Sequence, residues 1–455
     1  GAAPARQPAR LKMASPARHA ALEVLRRVSR GGTTLDMLDR LEARLHDERD
    51  RALVHELVLG TLRRRGWLDH VIARLCARPF AELEPAIVDV LRLGAYQLLF
   101  LRVAPHAAVS ESVELARAEA QRAAGFVNAV LRRLQREGPP PEPDAGADPI
   151  GWLTTAGSLP RWLAERWLAQ LGAERAVERA RAALEPPPTF VRLNPRVSDA
   201  AERLSAAGST LQPTDIPECY RLEGGSPGRL AEQGVVFVQD AGSQLVARLA
   251  EVRGLWLDAC AAPGGKSFSM ADAAAEGSRI VAAEASRRRL AVLVRLAARW
   301  DASGLWPVAA DALAPPFRRA FDGVLLDAPC SGLGTLARNP DIRWRLDSAD
   351  LARHAERQRA MLESLANLVR PGGQLVYATC SLEPEETREV VDAFLERDGR
   401  FVLAELPPWA RPFAVDGRIE IDPAKRVGDG FFAVRLLRRG DAAPHPPHPP
   451  LARAK

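Results

Sequence analysis

From about residue 14 to residue 136, apolar side chains recur at intervals of three and four. Leu22, Leu25 and Val28 begin the series, followed by Leu53, Val54, Leu57, Val58 and Leu62. Two further stripes are Ile87, Val88, Leu91, Ala95, Leu98 and Leu99, and then Phe126, Val127, Val130, Leu131 and Leu134. That period gives each segment one apolar face, as in packed helices. Ser15 before Pro16 supplies a capping residue and a proline at the first helical position. The spacing predicts an N-terminal all-α bundle over 14–136.

The pattern changes after that. Residues 137–149 read EGPPPEPDAGADP, too rich in proline and acid to pack, which predicts a linker. Residues 150–234 open with a helical stripe of Trp162, Leu163, Trp167 and Leu168 and continue into a strand at Thr189 to Leu193, a small α+β middle module. From Val235 onward an apolar strand leads into a helix, and from Leu255 the texture is strand, glycine loop, helix, repeated. Strands are expected at Leu255 to Asp258, Arg279 to Glu284, Trp306 to Ala310, Phe321 to Asp327 and Gln374 to Thr379, with helices between them as over Ser286 to Trp300. This predicts a C-terminal α/β Rossmann-like domain over 235–439 built on a doubly wound parallel sheet. Residues 1–13 and 440–455 are expected to be disordered tails; His445 and His448 in the PHPPHPP run belong to the second.

At 455 residues the chain exceeds what one core serves, so a multidomain reading agrees. Its net charge of +6 is carried almost wholly by arginine, since Lys12, Lys266, Lys425 and Lys455 are the only lysines. Arginine's planar fork suits phosphates and bases, but GC-rich coding produces the same bias, so charge alone decides nothing. Arg63, Arg64 and Arg65, with Arg132 and Arg133, are expected on the solvent side of the bundle, either as an RNA-binding face or as an ordinary solvated one. The five cysteines, Cys76, Cys219, Cys260, Cys330 and Cys380, form no CxxC pair and no zinc spacing, so no metal is expected. The first residues lack an apolar signal core and no run is long enough to span a bilayer. A cytoplasmic protein with free thiols and no membrane partner is the expectation.

The expected strand ends carry the chemistry. Asp258 is followed by Cys260, Ala261, Ala262, Pro263, Gly264, Gly265, Lys266 and Ser267. Small residues and paired glycines let backbone approach a ligand closely where a helix begins. The spacing is neither GxGxxG nor that of a P-loop. Glu284 ends the second strand, placed to accept the hydroxyls of a ribose; Asp311 follows the third, where it could face an adenine amine; Asp327 ends the fourth. A glycine loop and three acids suit a nucleoside cofactor without a diphosphate. S-adenosylmethionine fits better than NAD, because its cationic methionyl end is welcome among acids.

Cys330 in DAPCSG and Cys380 in ATCS stand at the ends of two apolar runs, and ligands of open α/β sheets bind beyond strand ends, so both thiols are expected in one cleft. A pyrimidine is unreactive at C5 until a nucleophile adds at C6, a task suited to a thiolate. An acid such as Asp327 near N3 polarises the ring. The spacing leaves the two thiols interchangeable.

AAPGGKS at 261–267, DAPCSG at 327–332, RNPDIRWR at 338–345, ATCSLEPEE at 378–386 and DGFFAVRL at 429–436 resemble the RNA cytosine C5 methyltransferases. FVNAVLRRL at 126–134, with the helical region around it, is similar to a NusB-type RNA-binding domain. The combination resembles the bacterial Fmu/Sun (RsmB) type, which methylates small-subunit ribosomal RNA. The resemblance implies Cys380 as nucleophile, Cys330 as the thiol assisting product release, Asp327 as their acid, and a cofactor held by Cys260 to Lys266, Glu284, Asp311 and Asp327. Two departures stand out. Glu284 replaces a common aspartate, and Glu385, Glu386, Thr387 replaces a usual PEEN run, past the nucleophile and so not expected to affect catalysis.

A DNA cytosine C5 methyltransferase would use Cys330 and an ENV motif, which is absent; an amino methyltransferase would want an aromatic near 330. A tRNA or other RNA cytosine methyltransferase, or a non-catalytic RNA-binding factor, are the other readings. The target is expected to be an unpaired cytidine of 16S ribosomal RNA, since the base must leave its stack, and the protein is expected to be monomeric.

Overall fold

The computed structural model describes residues 15–440 except 35, 36, 39, 40, 42–44 and 46. The tails expected at 1–13 and 440–455, with His445 and His448, lie outside the described residues but for Gly440. The chain divides into two compact units. One comprises the chain up to Pro186 together with Thr335–Ser348, the other Pro187–Gly334 together with the chain from Ala349.

In the helical unit, helices run over Pro16–Val28, Glu48–Arg63, Arg65–Leu75, Pro85–Phe100, Pro105–Glu119 and Ala124–Glu137. Proline begins three of them, where its missing N–H costs nothing, and the Asp47 carboxylate accepts from the Arg49 N–H to cap another. The apolar stripes turn inward: Leu57, Val58, Leu91, Val127 and Leu131 are fully enclosed. Gly60 is required where two helices cross, because a Cβ there would lie 1.9 Å from the Tyr96 hydroxyl.

Residues 138–148 form no helix or strand. Helices Pro149–Thr154, Arg161–Leu171 and Ala173–Leu184 belong to the helical unit, whereas the strands from Thr189 belong to the larger one. The α+β module expected over 150–234 is therefore divided between the two. What draws the three helices away is the segment 335–348. Arg343, fully buried, donates to the carbonyls of Ser158, Ala183 and Leu336 at 3.2, 3.0 and 3.1 Å. Trp344 Nε1 donates to the Leu62 carbonyl at 3.0 Å.

The same segment alters the reading of the arginine run. Arg63 is only 6% exposed and donates to the Ala337 carbonyl at 2.7 Å. Arg65 stacks over Trp344 and Arg64 over Phe100. They are fastenings within the unit and not a solvated cationic face. An arginine triplet looks exposed in a sequence because nothing local reveals a distant carbonyl.

The larger unit contains two sheets. Strands β1 (Thr189–Leu193), β2 (Thr210–Pro213), β3 (Tyr220–Glu223) and β4 (Val236–Val238) form an antiparallel sheet in the order β2-β3-β1-β4. The second comprises β5 (Leu255–Asp258), β6 (Arg279–Glu284), β7 (Leu305–Ala309), β8 (Phe321–Asp327), β9 (Val369–Thr379), β10 (Phe401–Leu403), β11 (Ala414–Val415), β12 (Arg418–Ile421) and β13 (Phe431–Arg438). Its order is β11-β12-β13-β9-β8-β5-β6-β7, with β10 beside β13. Strands β5 to β9 pair in parallel, as expected. Strands β10 to β13 join antiparallel, so the sheet is mixed.

From β5 the chain moves outward through β6 and β7, then returns to the other side as β8 and β9. The order reverses between β5 and β8, which is where open α/β sheets form a crevice at the carboxyl ends of their strands. Asp258 and Asp327 end those two strands, and the register that pairs Asp258 with Leu325 and Asp327 with Ala378 sets the ends side by side.

Candidate functional site

The loop after β5 turns straight into the helix Gly265–Ala273. Gly264 makes the turn with φ +117°, and a Cβ there would strike the Phe268 ring at 2.3 Å. Asp258 is buried beneath the loop, one oxygen accepting from the Ser267 hydroxyl at 2.6 Å and the other, Oδ1, without a partner. Loss of hydration pushes its pKa up to about 7. Burial, reinforced by the carboxylates of Asp258, Asp327 and Glu284, likewise pushes the Cys260 thiol up to about 12. Cys260 is therefore a neutral lining group.

Lys266 points from the first turn of that helix to Asp327, Nζ to Oδ2 at 2.7 Å, and lies over the Phe431 ring at 5.3 Å. Burial lowers the ammonium's pKa, but the charge and hydrogen bond of Asp327 outweigh this and leave it above its ordinary value. Glu284, 5% exposed, accepts from the Ser286 N–H at 2.9 Å and lies 3.5 Å from Arg289. Arg289 also donates to the Ala262 carbonyl at 2.6 Å, tying the β6 turn to the glycine loop. Asp311 lies two residues beyond β7, where it accepts from the Leu313 N–H at 2.9 Å.

A cleft of about 230 Å³ opens over these strand ends, lined by Cys260, Glu284, Asp311, Asp327, Arg357 and Cys380 among others. Alanines 259, 262, 310, 312 and 328 form much of its wall, leaving room for a flat ligand. Of the residues expected at the cofactor, Cys260, Ala262, Glu284, Asp311 and Asp327 border this space; Ala261, Pro263, Gly264 and Gly265 form the turn behind it, and Lys266 reaches it through Asp327.

Of the two thiols, Cys380 lines this cleft and Cys330 stands against Cys380. Cys330 Sγ and Cys380 Sγ are 3.2 Å apart, carried by the loops after adjacent strands β8 and β9. Hydrogen bonding to Cys380, together with burial, holds the Cys330 thiol well above its usual pKa. Behind Cys330 stands Glu386, fully buried. Its carboxylate accepts from the Ser331 N–H at 2.8 Å, from the Ser331 hydroxyl and from Gln358 Nε2 at 3.1 Å. Gln358 also donates to the Pro329 carbonyl, and Tyr377 donates to the Glu386 carbonyl at 2.7 Å. Within the run Glu385, Glu386, Thr387, which lies past Cys380, it is Glu386 that anchors the Cys330 loop. Glu386, Gln358, Arg289 and Arg357 were not anticipated. The signal for Glu386 is its place at the end of ATCSLEPEE, six residues after Cys380.

Among the described residues no group of side chains could hold a metal ion, and no helix is long and apolar enough to cross a membrane. Residues 247–437 match the family described as 16S rRNA methyltransferase RsmB/F, and residues 15–136 match the NusB family. The chain is similar to the Escherichia coli (strain SMS-3-5 / SECEC) ribosomal RNA small subunit methyltransferase B, 34% identical over 430 residues, covering 90% of this chain and 96% of that protein. A Bacillus subtilis (strain 168) protein described as a probable ribosomal RNA small subunit methyltransferase B is 35% identical over 416 residues, 86% of this chain and 92% of its own. Among solved structures, PH0851 superimposes with a TM-score of 0.75 at 22% identity, covering 93% of this chain and 99% of that one, which is a likeness of fold.

Proposed function

Because this chain belongs to the 16S rRNA methyltransferase RsmB/F family, we propose that it methylates C5 of an unpaired cytidine in small-subunit ribosomal RNA through a transient bond from a protein thiol to C6. The observation that carries this reading is the pair of thiols 3.2 Å apart, one of which, Cys380, lines the acid-rich cleft together with Asp327.

The cleft's donor set fits S-adenosylmethionine. Glu284 and Asp311 offer acceptors to ribose hydroxyls and an adenine amine, the alanine walls accept a flat ring, and the acids favour a cationic ligand over a diphosphate. Bound there, the cofactor supplies an electrophilic methyl group. Asp327 accepts from the exocyclic amine beside N3 of the cytosine and orients the ring. The Cys380 thiolate adds to C6, and the electron pair of the C5–C6 bond makes C5 a carbon nucleophile. Lys266 offers a positive charge beside the attacking sulfur. After methylation the C5 proton passes to a base, its electron pair restores the C5–C6 double bond, and the Cys380 sulfur leaves. Cys330, protonated and in contact with that sulfur, assists this release.

Incubation with methyl-labelled S-adenosylmethionine and 16S rRNA, followed by nucleoside digestion, is expected to yield 5-methylcytosine at one position. Label in an exocyclic amine or a ribose would overturn the thiol mechanism. No label in 16S rRNA, with label in transfer RNA supplied in a parallel reaction, would overturn the substrate.

A further inference from the structure

The crossover between β6 and β7 is the helix Arg287–Trp300, RRRLAVLVRLAARW. Its inner face is packed: Leu293 and Trp300 are buried, and Leu293 joins Ala261, Ala262 and Ala282 behind the glycine loop. Its outer face carries Arg287, Arg288, Arg295 and Arg299, all exposed, and the helix has no acid in it. Elsewhere in this chain a helical arginine is commonly paired four residues away, as in Arg27 with Glu23, Arg133 with Glu137, Arg161 with Glu165 and Arg203 with Asp199. Such mixed signs are what a merely solvated face carries. Arg287, Arg295 and Arg299 have no ion-pair partner among the described residues.

The stripe also has a direction. At 1.5 Å per residue it extends about 18 Å, and it begins where Arg289 binds the Ala262 carbonyl and flanks Glu284 at the cleft. A membrane surface would need an apolar face free to insert, but here that face is packed and Val294 is the only large apolar side chain of the helix standing well exposed. Unpaired guanidinium groups in a row that starts at a substrate cleft match a polyanion.

We propose that the outer face of helix Arg287–Trp300 is a phosphate track that holds the RNA strand flanking the target nucleotide. This rests on the reading that the cleft methylates RNA. It adds an interface on the larger unit, separate from the NusB-type region.

The test is the full-length triple variant Arg287→Gln, Arg295→Gln, Arg299→Gln, assayed with 16S rRNA transcript and S-adenosylmethionine. KM for RNA is expected to rise about tenfold or more, with kcat and cofactor affinity near wild type. The slope of log K against log salt should shrink by about 2, the share of three single-strand phosphate contacts. The matching triple lysine variant, which keeps the charge, should restore most of the affinity. An unchanged KM and salt slope in the glutamine variant, or a lysine variant as weak as the glutamine one, overturns the proposal. So does loss of binding to anionic phosphatidylserine vesicles with RNA affinity intact, which would assign the face to lipid. If wild-type protein methylates no RNA while still binding the transcript with this salt dependence, the catalytic reading fails and the track stands.

Discussion

The Glu386 carboxylate grips Ser331 twice, accepting from its backbone N–H and from its hydroxyl. The residue next to Cys330 is thereby fixed by a group that follows Cys380 by six positions. Replacement by alanine leaves the Ser331 N–H without its acceptor and the Gln358 amide with only the Pro329 carbonyl, a loss of roughly 2–4 kcal/mol in denaturant unfolding. We expect kcat of Glu386→Ala to fall about tenfold or more while the KM for S-adenosylmethionine stays within about twofold. A KM that moves with kcat would show that the residue supports the cofactor instead.

The thiols should behave differently when removed. Cys380→Ala is expected to abolish methyl transfer and to form no RNA adduct. Cys330→Ala is expected to accumulate a protein–RNA adduct that survives a denaturing gel. An adduct from Cys380→Ala would exchange the two roles.

Much of this site was legible because strand ends are local events. The apolar runs ending in Asp258, Glu284 and Asp327 stop where the observed β5, β6 and β8 stop, since a buried parallel strand needs continuous apolar character. Strand β9 begins at Val369, five residues before the expected Gln374, because Pro371, Gly372 and Gly373 read as a turn when they form an irregularity opposite Phe321 and Gly323. Period alone says nothing of direction, so the antiparallel entry of β13 could not be read from Phe431 to Leu437. Nor could Glu386 be connected to Ser331, 55 residues away. Arg63 and Arg343 were illegible for the same reason, their partners being backbone carbonyls that any sequence supplies.

Asp258 makes stability depend on pH. Its folded pKa of about 7 lies above the ordinary 3.8, so the folded state holds a proton that the unfolded chain releases. Its contribution is fully present below about pH 4, declines as pH rises, and is gone above about pH 7. Asp258→Asn removes that titration. The stability of the variant relative to wild type should rise between pH 5 and pH 8 by an amount bounded at about 3 kcal/mol, measured by urea unfolding of both proteins. Parallel profiles would show that Asp258 is ionised throughout.

Glu284 should matter to cofactor affinity and little to the fold. Glu284→Ala removes the acceptor assigned to the ribose hydroxyls, and calorimetric titration should show S-adenosylmethionine binding about 10- to 100-fold weaker, from charged hydrogen bonds worth roughly 1.5–3 kcal/mol. Affinity unchanged within error would remove Glu284 from the cofactor site.

Arg343 is expected to be sensitive to any substitution. Methionine fills similar volume but strands the carbonyls of Ser158, Ala183 and Leu336, and lysine replaces a planar fork with a point charge. Both variants should lower the thermal midpoint, Arg343→Met by about 2–4 kcal/mol in unfolding free energy. Limited proteolysis of either should expose new cleavage sites between residues 149 and 186. An unaltered digestion pattern would mean the segment is held by Trp344 and Arg63 alone.

That segment, Thr335–Ser348, bears on inheritance. The helical unit is completed by residues encoded after the glycine loop and the PCSG motif. A recombination joint placed after Pro186 would deliver a bundle whose Ser158 and Ala183 carbonyls have lost their donor, and a remainder bearing Arg343 and Trp344 with nowhere to dock. The two units therefore cannot be shuffled by a single crossover, and a lineage that acquired one without the other would have had to rebuild this splice.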